Sequence, residues 1–352
     1  MKYKLGEILT EYTERNTNSI FQPVAVGRYG IRKREDIYKK ELADDYSKNK
    51  VIRKDTLIIG MGSIQIDVGV LADDEVYSVS SGYHTFKINT KIVYSKFLEY
   101  LFSFKNPEFT KKYMIASARQ GKKVDIKSLM DEILDIPNFA VQKEIILKIN
   151  MIKNHIKQSE NSLKYYDELV KSRFIEMFGN KDYPILFWND VFNTTTGKLD
   201  SNAMIEGGQY PFFTCAKEVF AIDKYAFDQE ALLLAGNNAA GKYDVKYYKG
   251  KFNAYQRTYV LDLKQDWSYQ LFKYQLEDKL EWLREQSKGC NTRYITLKIL
   301  SELQFIIPPH DQQNEFEEFC RQIDKSKFNI QQQIIYLNEL LEKQMNEYFN
   351  IH

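Results

Sequence analysis

Apolar residues recur with a period of 3.5 residues in two segments of the chain, one near the middle and one at the end. In the first segment, the a and d positions of one heptad register hold Ile145, Ile149, Ile152, Ile156 and Leu163. In the second segment, they hold Ile323, Ile330, Ile334, Leu337 and Leu341. A helix with such a seam needs a partner, so we expect the two segments to pair as helices.

The length of each segment supports this pairing. Neither segment contains Pro or an internal Gly, and each predicts a helix of roughly 40 residues, or about 60 Å at 1.5 Å per residue. Helices of globular proteins average about 11–12 residues. A pair of amphipathic helices that pack separately on ordinary cores is therefore the less favoured interpretation.

The two segments are parts of an internal repeat that covers the chain. DEILDIPNFAVQKEIILKI (131–149) aligns with ELQFIIPPHDQQNEFEEFC (302–320) at an offset of 171 residues, which places Pro137 on Pro308 and Gln142 on Gln313. About 130 residues with short strand patterns precede each helix. These patterns lie at 55–63, 76–88 and 133–137 in the first copy and at 231–239, 251–263 and 303–309 in the second. Helical patterns follow at 95–104 and 266–287.

The repeat predicts an α+β architecture in which two similar α/β domains alternate with two long helices. We expect the helices to pack as an antiparallel coiled coil with a pseudo-two-fold axis. The predicted boundaries are 1–137 for the first domain, 138–180 for the first helix, 181–309 for the second domain and 310–352 for the second helix.

Composition narrows the class of protein. Of the 352 residues, 43% are hydrophobic and 28% are charged, and no run of about 18 apolar residues predicts a transmembrane helix. Three scattered cysteines predict a cytoplasmic protein without disulfides. The net charge is only +2, but residues 1–137 carry 23 basic and 19 acidic side chains, whereas residues 310–352 carry 4 and 8. The acidic residues of 310–352 thus offset, in the net charge, the excess of basic residues in 1–137.

This layout resembles the DNA specificity subunit of Type I restriction–modification systems over essentially the whole chain. The resemblance rests on the junctions that run from Ile136-Pro137 to Gln142 and from Ile307-Pro308 to Gln313. It also rests on GGQYPFFTCAKEV (207–219) and on the domain starts KLGEIL (4–9) and FWNDVF (187–192). The first domain departs from the pattern, because FQPVAVGRYGIRKRED (21–36) stands where a Tyr-Pro-Phe-Phe stretch is expected.

The resemblance implies that each domain, a target-recognition domain, reads one half of a bipartite site in double-stranded DNA. It implies that the helices set the spacer and dock methyltransferase subunits, two in number, and that a restriction and motor subunit joins the complex. Methyl transfer and ATP-driven cleavage would then reside in these partners. The chain itself is expected to be no enzyme and to need no cofactor or metal.

Basic residues with aromatic or amide neighbours mark the candidate DNA contacts, because phosphates need positive charge and base edges need Arg, Gln or Asn. They fall mainly in the windows 27–40, 111–127 and 242–257. In the first domain the candidates are Arg28, Tyr29, Arg32, Lys33, Arg34, Gln120, Lys122 and Lys123. In the second they are Asn237, Asn238, Lys242, Gln256, Arg257, Lys288, Asn291 and Arg293. The alternative is that these side chains are merely solvated loop charges.

Motifs for catalysis are missing from the sequence. There is no GxxxxGK[ST] loop for ATP, no Asn/Asp-Pro-Pro-Tyr motif for base methylation and no His/Cys pair at zinc spacing. Loosely spaced nuclease carboxylates are not excluded, so a DNA enzyme with its own active site stays open. A second alternative is an adaptor protein with a coiled-coil docking surface. DNA binding should weaken steeply with salt, whereas an apolar peptide site should not.

Overall fold

Short strands and helices precede each of two long helices in the computed structural model. The structure describes residues 1–27, 30–37, 45–117, 121–179, 181–239, 241–289 and 292–350. The chain divides into two compact units, one of Met1–Glu160 with Gln332–His352 and one of Asn161–Gln331. We call them unit 1 and unit 2. This division crosses both long helices, whereas the boundaries expected from the sequence follow the junctions between domain and helix.

The elements up to the first long helix are given in chain order. They are β1 (Lys2–Lys4), α1 (Leu5–Ile8), β2 (Leu9–Glu11), β3 (Val24–Gly27), β4 (Gly30–Lys33), β5 (Lys50–Ile52), β6 (Thr56–Met61), β7 (Ile66–Leu71), β8 (Tyr77–Val79), β9 (His84–Ile88), α2 (Ser95–Tyr113), β10 (Met114–Ser117), β11 (Gly121–Val124), α3 (Ile126–Met130), β12 (Ile133–Asp135) and α4 (Phe139–Phe178).

The second half of the chain follows the same plan. Its elements are β13 (Ile185–Phe187), α5 (Trp188–Val191), β14 (Phe192–Thr196), a 3₁₀ turn (Ser201–Ala203), β15 (Tyr210–Phe213), β16 (Phe220–Ile222), β17 (Phe227–Ala235), β18 (Asn237–Asn238), β19 (Val245–Ala254), β20 (Thr258–Leu263), α6 (Tyr269–Asp278), α7 (Leu280–Gln286), β21 (Arg293–Tyr294), α8 (Leu297–Leu300), β22 (Gln304–Ile306) and α9 (His310–Phe349).

The main sheets of the two units have the same strand order. In unit 1, four antiparallel strands lie in the order β2-β9-β6-β7. In unit 2, β14-β20-β17-β19 repeat that order, and β15 and β16 extend the sheet beyond β19. A short ladder joins the start of each domain to its exit, β1 with β12 and β13 with β22. The predicted architecture of two similar domains that alternate with two long helices is thus confirmed.

Some predicted elements differ in extent. The single strand predicted at 251–263 is the end of β19 followed by β20, with a turn at Tyr255–Arg257 closed by Thr258 N donating to Tyr255 O at 2.8 Å. No Gly or Pro marks this turn, so the pattern contained no breaker signal. Helix α2 continues past its predicted end at 104 to Tyr113. Asn106 Nδ2 donates to Ile66 O at 2.9 Å, which holds that last part against β7.

A buried glutamine fixes the start of each long helix to its own domain. Gln142 Nε2 donates to Pro137 O at 2.8 Å and to Ile92 O at 3.0 Å, and Gln142 Oε1 accepts from Tyr94 N at 2.8 Å. Tyr94 is the N-cap residue of α2. The amide therefore joins the exit segment, the loop before α2 and the long helix in one network.

The same arrangement recurs 171 residues later in unit 2. Gln313 Nε2 donates to Pro308 O at 2.8 Å, and Gln313 Oε1 accepts from the backbone N of Ser268, the N-cap residue of α6, at 3.0 Å. Gln142 and Gln313 are 0% and 1% exposed. Each thus satisfies backbone groups that have no access to water, which explains why the repeat retains glutamine here.

Within unit 1, the first half of α4 packs against the last part of α9. Ile145, Ile149, Met345 and Phe349 belong to the same core as Phe97 of α2, and the Phe97 and Phe349 rings are 5.4 Å apart. Because residue 145 lies near residue 349, the two helices run antiparallel in this unit. Of the predicted seam residues in unit 1, Ile145, Ile149, Ile152 and Leu337 are buried, and Ile156, Ile334 and Leu341 are half-buried.

Within unit 2, the second half of α4 packs against the first half of α9. Phe174 and Phe178 contact Phe316 at centroid distances of 5.7 and 5.6 Å. Two ion pairs fix the antiparallel register, Lys327 with Asp167 and Arg173 with Glu315, both at 2.5 Å. The predicted seam residue Ile323 is buried, and Leu163 and Ile330 are half-buried.

Within the described residues, no helix has the length and apolar character needed to cross a bilayer.

We expect Gln313→Leu to lower the free energy of unfolding, because it leaves Ser268 N and Pro308 O buried without a partner. Each such group costs about 1–3 kcal/mol. The tryptophans of the sequence, Trp188, Trp267 and Trp282, all lie in unit 2, so urea unfolding followed by tryptophan fluorescence reports on this unit. The exposed Gln331→Leu, on the same helix and in the same unit, serves as control. Equal unfolding midpoints for the two variants would refute the role of the buried amide.

We expect Leu337→Asp to disrupt the packing of α4 with α9. Leu337 is 7% exposed, and loss of a buried leucine alone costs about 2–5 kcal/mol, to which the unpaired buried carboxylate adds. The matched control is Ile335→Asp, since Ile335 is 51% exposed. Thermal unfolding followed by far-UV circular dichroism should show a lower Tm for Leu337→Asp only. Indistinguishable curves would mean that this position does not belong to the seam.

Candidate nucleic-acid interface

Several candidate residues of unit 2 come together where β17 ends. Asn237 and Asn238 form β18, which pairs with Tyr294 and Arg293 of β21. Lys288 is joined to this ladder by two backbone bonds with Tyr294 at 3.1 and 2.9 Å. The backbone N of Lys242 donates to Asn238 Oδ1 at 3.2 Å. Two separate stretches of sequence, 237–242 and 288–294, thus bring Asn, Lys and Arg residues together on one small surface.

The turn that carries Gln256 and Arg257 adjoins this surface. Gly236 N donates to Arg257 O at 2.9 Å, directly before Asn237. A Cβ at Gly236 would overlap the Arg257 carbonyl and approach the Tyr259 ring to 3.0 Å, so only glycine allows this close approach. The side chain of Arg257 is exposed. That of Gln256 is engaged, since its Nε2 donates to Asp200 Oδ1 at 2.5 Å.

Unit 1 has a comparable surface on the β10–β11 hairpin. Lys122 and Lys123 of β11 are exposed and pair across the hairpin with Ala116 and Ile115. The hairpin lies beside β6, the counterpart of β17 in the shared strand order. The repeat offset of 171 residues places Lys122 on Arg293. Both units therefore put basic side chains next to the same strand of the sheet.

A second group of candidates in unit 1 lies on the β3–β4 hairpin. Arg32 and Lys33 are exposed on β4, and the guanidinium of Arg34 lies 5.7 Å from the centroid of the Tyr46 ring. Arg32 and Lys33 line a cleft of about 660 Å³ between this hairpin, β7 and α2.

Two lysines outside the predicted set line the same cleft. Lys96 pairs with Glu99 at 2.8 Å, and Lys153 of α4 lies 4.3 Å from the centroid of the Tyr100 ring. Burial lowers the pKa of Lys153. No sequence signal distinguished Lys153, because it occupies an ordinary polar position of a long amphipathic helix. The four candidates Arg28, Tyr29, Gln120 and Asn291 lie outside the described residues.

Ion pairing separates the candidate lysines from other lysines in the same windows. In the described part of the chain, no carboxylate lies within 4.0 Å of the ammonium groups of Lys122, Lys123, Lys242 and Lys288. By contrast, Lys112 pairs with Glu132 at 2.5 Å, which raises its pKa. Lys246 pairs with Asp244, and Lys249 with Glu230 at 2.9 Å. The windows 111–127 and 242–257 therefore contain fewer available charges than their sequences indicated.

The tyrosines interleaved with basic residues in 242–257 serve the core. Tyr243 is 8% exposed, and the Tyr248 ring packs on Phe213 and Phe252. Tyr247 donates to Glu230 Oε1 at 2.7 Å. Burial raises the pKa of Tyr243 and Tyr247, so these hydroxyls stay neutral. Because these three side chains are packed or hydrogen-bonded inside the unit, their positions do not favour contact with phosphate.

Comparison with known proteins finds one family that matches the second half of the chain. The family described as Type I restriction modification DNA specificity domain matches residues 180–340. The match covers somewhat less than half of the chain. The match covers the second domain with most of α9 and includes the predicted GGQYPFFTCAKEV and FWNDVF segments.

Individual relatives extend the comparison. The Type I restriction enzyme EcoDI specificity subunit of Escherichia coli is 35% identical over 158 residues, which are 43% of this chain and 34% of that relative. The chain thus matches about a third of the length of this relative. A crystal structure of a Type I restriction–modification S subunit from M. genitalium has 12% identity and a TM-score of 0.61, and covers 98% of this chain and 94% of its own.

A second solved structure, from a study of complex assembly and conformational transition of the type I R-M system, has 16% identity and a TM-score of 0.53. It covers 99% of this chain and 97% of its own. At these identities the two structures establish the fold alone. They do so over nearly the full chain, including the first domain, which the family match does not reach.

Proposed function

We propose that this chain is the DNA specificity subunit of a Type I restriction–modification complex, in which each unit contacts one half of a bipartite site. One observation carries the proposal: two domains of the same fold place basic side chains, exposed except for the half-buried Arg293, beside the same sheet strand. Lys122 and Lys123 lie there in unit 1, and Lys288 and Arg293 in unit 2. Positive charge without an internal carboxylate partner is available to phosphates.

Amide side chains beside these charges suit base contacts. Asn237 and Asn238 lie next to Arg293, and Asn can bond adenine while Arg can bond guanine. The basic residues would position the DNA, and the amides would discriminate among base pairs. Arg257 and Lys242 lie at the edge of the same surface. In unit 1, Arg32, Lys33 and Arg34 would extend the contact along the β3–β4 hairpin.

Catalysis is assigned to partner subunits in this proposal. The sequence lacks the phosphate loop and the methylation motif that its partners would need, and the described residues contain no cluster that could hold a metal ion. Two methyltransferase subunits would dock on α4 and α9, and a restriction and motor subunit would complete the complex. A protein with this role would work in the cytoplasm, where the host DNA is.

The basic surfaces can be tested with two double variants of the full chain, Lys122→Ala with Lys123→Ala and Lys288→Ala with Arg293→Ala. We expect each to weaken binding to a cognate duplex. The slope of log K against log salt should fall by up to about 2, because each cation that neutralises a phosphate accounts for about one unit of that slope. Fluorescence anisotropy over a range of NaCl concentrations measures both quantities.

The matched control is Lys4→Ala with Lys54→Ala, which removes the same charge. These lysines are exposed but paired with Asp131 and Asp74 at 2.9 and 2.8 Å. If both test variants keep the wild-type slope of log K against log salt, the DNA contacts other residues. Affinity of the wild-type chain that does not depend on salt would favour the adaptor alternative, and turnover without added subunits would favour a DNA enzyme.

The complete proposal is tested in the native host by methylation-sensitive genome sequencing with the gene intact and deleted. We expect deletion to remove one bipartite methylated motif, with both half-sites disappearing together, because one chain carries both recognition domains. Methylation patterns that do not differ between the two strains, in a host shown to express the methyltransferase, would contradict the proposal.

A further inference from the structure

Asp67 of unit 1 is a carboxylate in an unusual setting. It is the second residue of β7 and faces Gly60 of β6 in the ladder. Its side chain is half-buried, and in the described part of the chain no hydrogen bond or ion pair engages it. Burial raises its pKa. Partial burial therefore disfavours the ionised carboxylate, and no donor of the described residues offsets that cost.

Glycines keep space open around this carboxylate. A Cβ at Gly62 would come within 2.6 Å of Asp67 Oδ1, and a Cβ at Gly27 would lie 3.8 Å from the same atom. Asp67 lines a cavity of about 600 Å³ together with Met61, Ser80 and Tyr83. The backbone thus leaves the carboxylate reachable from outside the domain.

The shared strand order places Asp67 at the expected DNA edge. The β6–β7 loop of unit 1 corresponds to the loop between β17 and β19, which carries Asn237, Asn238 and Lys242. Gly62 and Asp67 flank the shorter unit 1 loop.

Contacts inside unit 1 place this loop at the end of α2 that continues into the lysine hairpin. Two residues of α2 hold Ile66, the neighbour of Asp67. Thr110 Oγ1 accepts from Ile66 N at 3.0 Å, and Asn106 Nδ2 donates to Ile66 O at 2.9 Å. Helix α2 leads directly into β10, the first strand of the hairpin that carries Lys122 and Lys123. The carboxylate therefore lies at the same end of the domain as the exposed lysines.

We propose that Asp67 is a specificity-determining residue whose carboxylate accepts a hydrogen bond from the exocyclic amine of a cytosine in the half-site contacted by unit 1. This inference rests on the proposed function. In the major groove only cytosine and adenine present amino donors, and a carboxylate is an acceptor only. Adenine N7, an acceptor beside its amine, repels a carboxylate, and guanine and thymine present acceptors. Cytosine is therefore the base that suits Asp67.

The test uses the full-length chain, Asp67→Asn and a library of randomised duplexes from which bound sequences are selected and counted. Asparagine has the same shape, and its removal of one negative charge strengthens binding to all sequences alike. We expect the wild type to prefer cytosine at one position of one half-site by about tenfold to hundredfold, as single base-pair mismatches usually cost. In Asp67→Asn that preference should shift from cytosine towards adenine, because the amide adds a donor for adenine N7, while the other half-site stays unchanged.

The control is Asp74→Asn, which removes the same charge beyond the opposite end of β7, where Asp74 pairs with Lys54 at 2.8 Å. It should leave the base preferences of both half-sites intact. If the wild type selects two half-sites and Asp67→Asn keeps the same preference, the role of Asp67 is overturned and the proposed function still stands. Absence of any selected sequence with the wild type would instead overturn the proposed function itself.

Discussion

The structure depends on how each long helix is attached to the domain before it, and a buried glutamine makes that attachment. The amide of Gln142 bonds the Pro137 carbonyl and the N-cap residue of α2, and Gln313 does the same in unit 2 with Pro308 and Ser268. A hydrophobic side chain could fill the same volume, but it would leave the buried backbone groups unsatisfied and would not define a direction. The glutamine fixes both the position and the direction of the helix start relative to its own sheet.

Once the helix starts are fixed, the seam determines which residues meet within each unit. Apolar packing alone tolerates a shift along the helix axis, whereas the ion pairs Lys327–Asp167 and Arg173–Glu315 have the right geometry at one register only. Each pair is partly exposed and contributes little stability, about 0–1 kcal/mol. Its effect is specificity, since a shifted register would separate the charges and place an unpaired one beside the apolar seam.

The sequence predicted the features that repeat with a regular period and missed those that depend on single tertiary contacts. The heptads of α4 and α9, the 171-residue offset and the matching sequence of strand patterns along the two copies all follow from patterns that many residues share. The turn at Tyr255–Arg257 contains no breaker, and α2 extends beyond Phe104 because Asn106 and Thr110 bond the backbone of β7. Likewise, sequence windows could not distinguish Lys249, which Glu230 neutralises, from Lys242, because the neutralising residue lies on another strand.

The same argument explains how a chain with a net charge of +2 can present a DNA-binding surface. At physiological salt, charges more than about 8 Å from a phosphate are largely screened, so the total charge matters less than where charges are left unpaired. Internal ion pairs neutralise many lysines, and the candidate lysines that stay available lie on β11 and around β21, beside equivalent strands.

The carboxylate of Asp67 opposes binding to phosphate. Its position at that edge is therefore better explained by contact with a base than by contact with the backbone of DNA. Discrimination then arises because the cost of burying that carboxylate is offset only when the correct amine is opposite it.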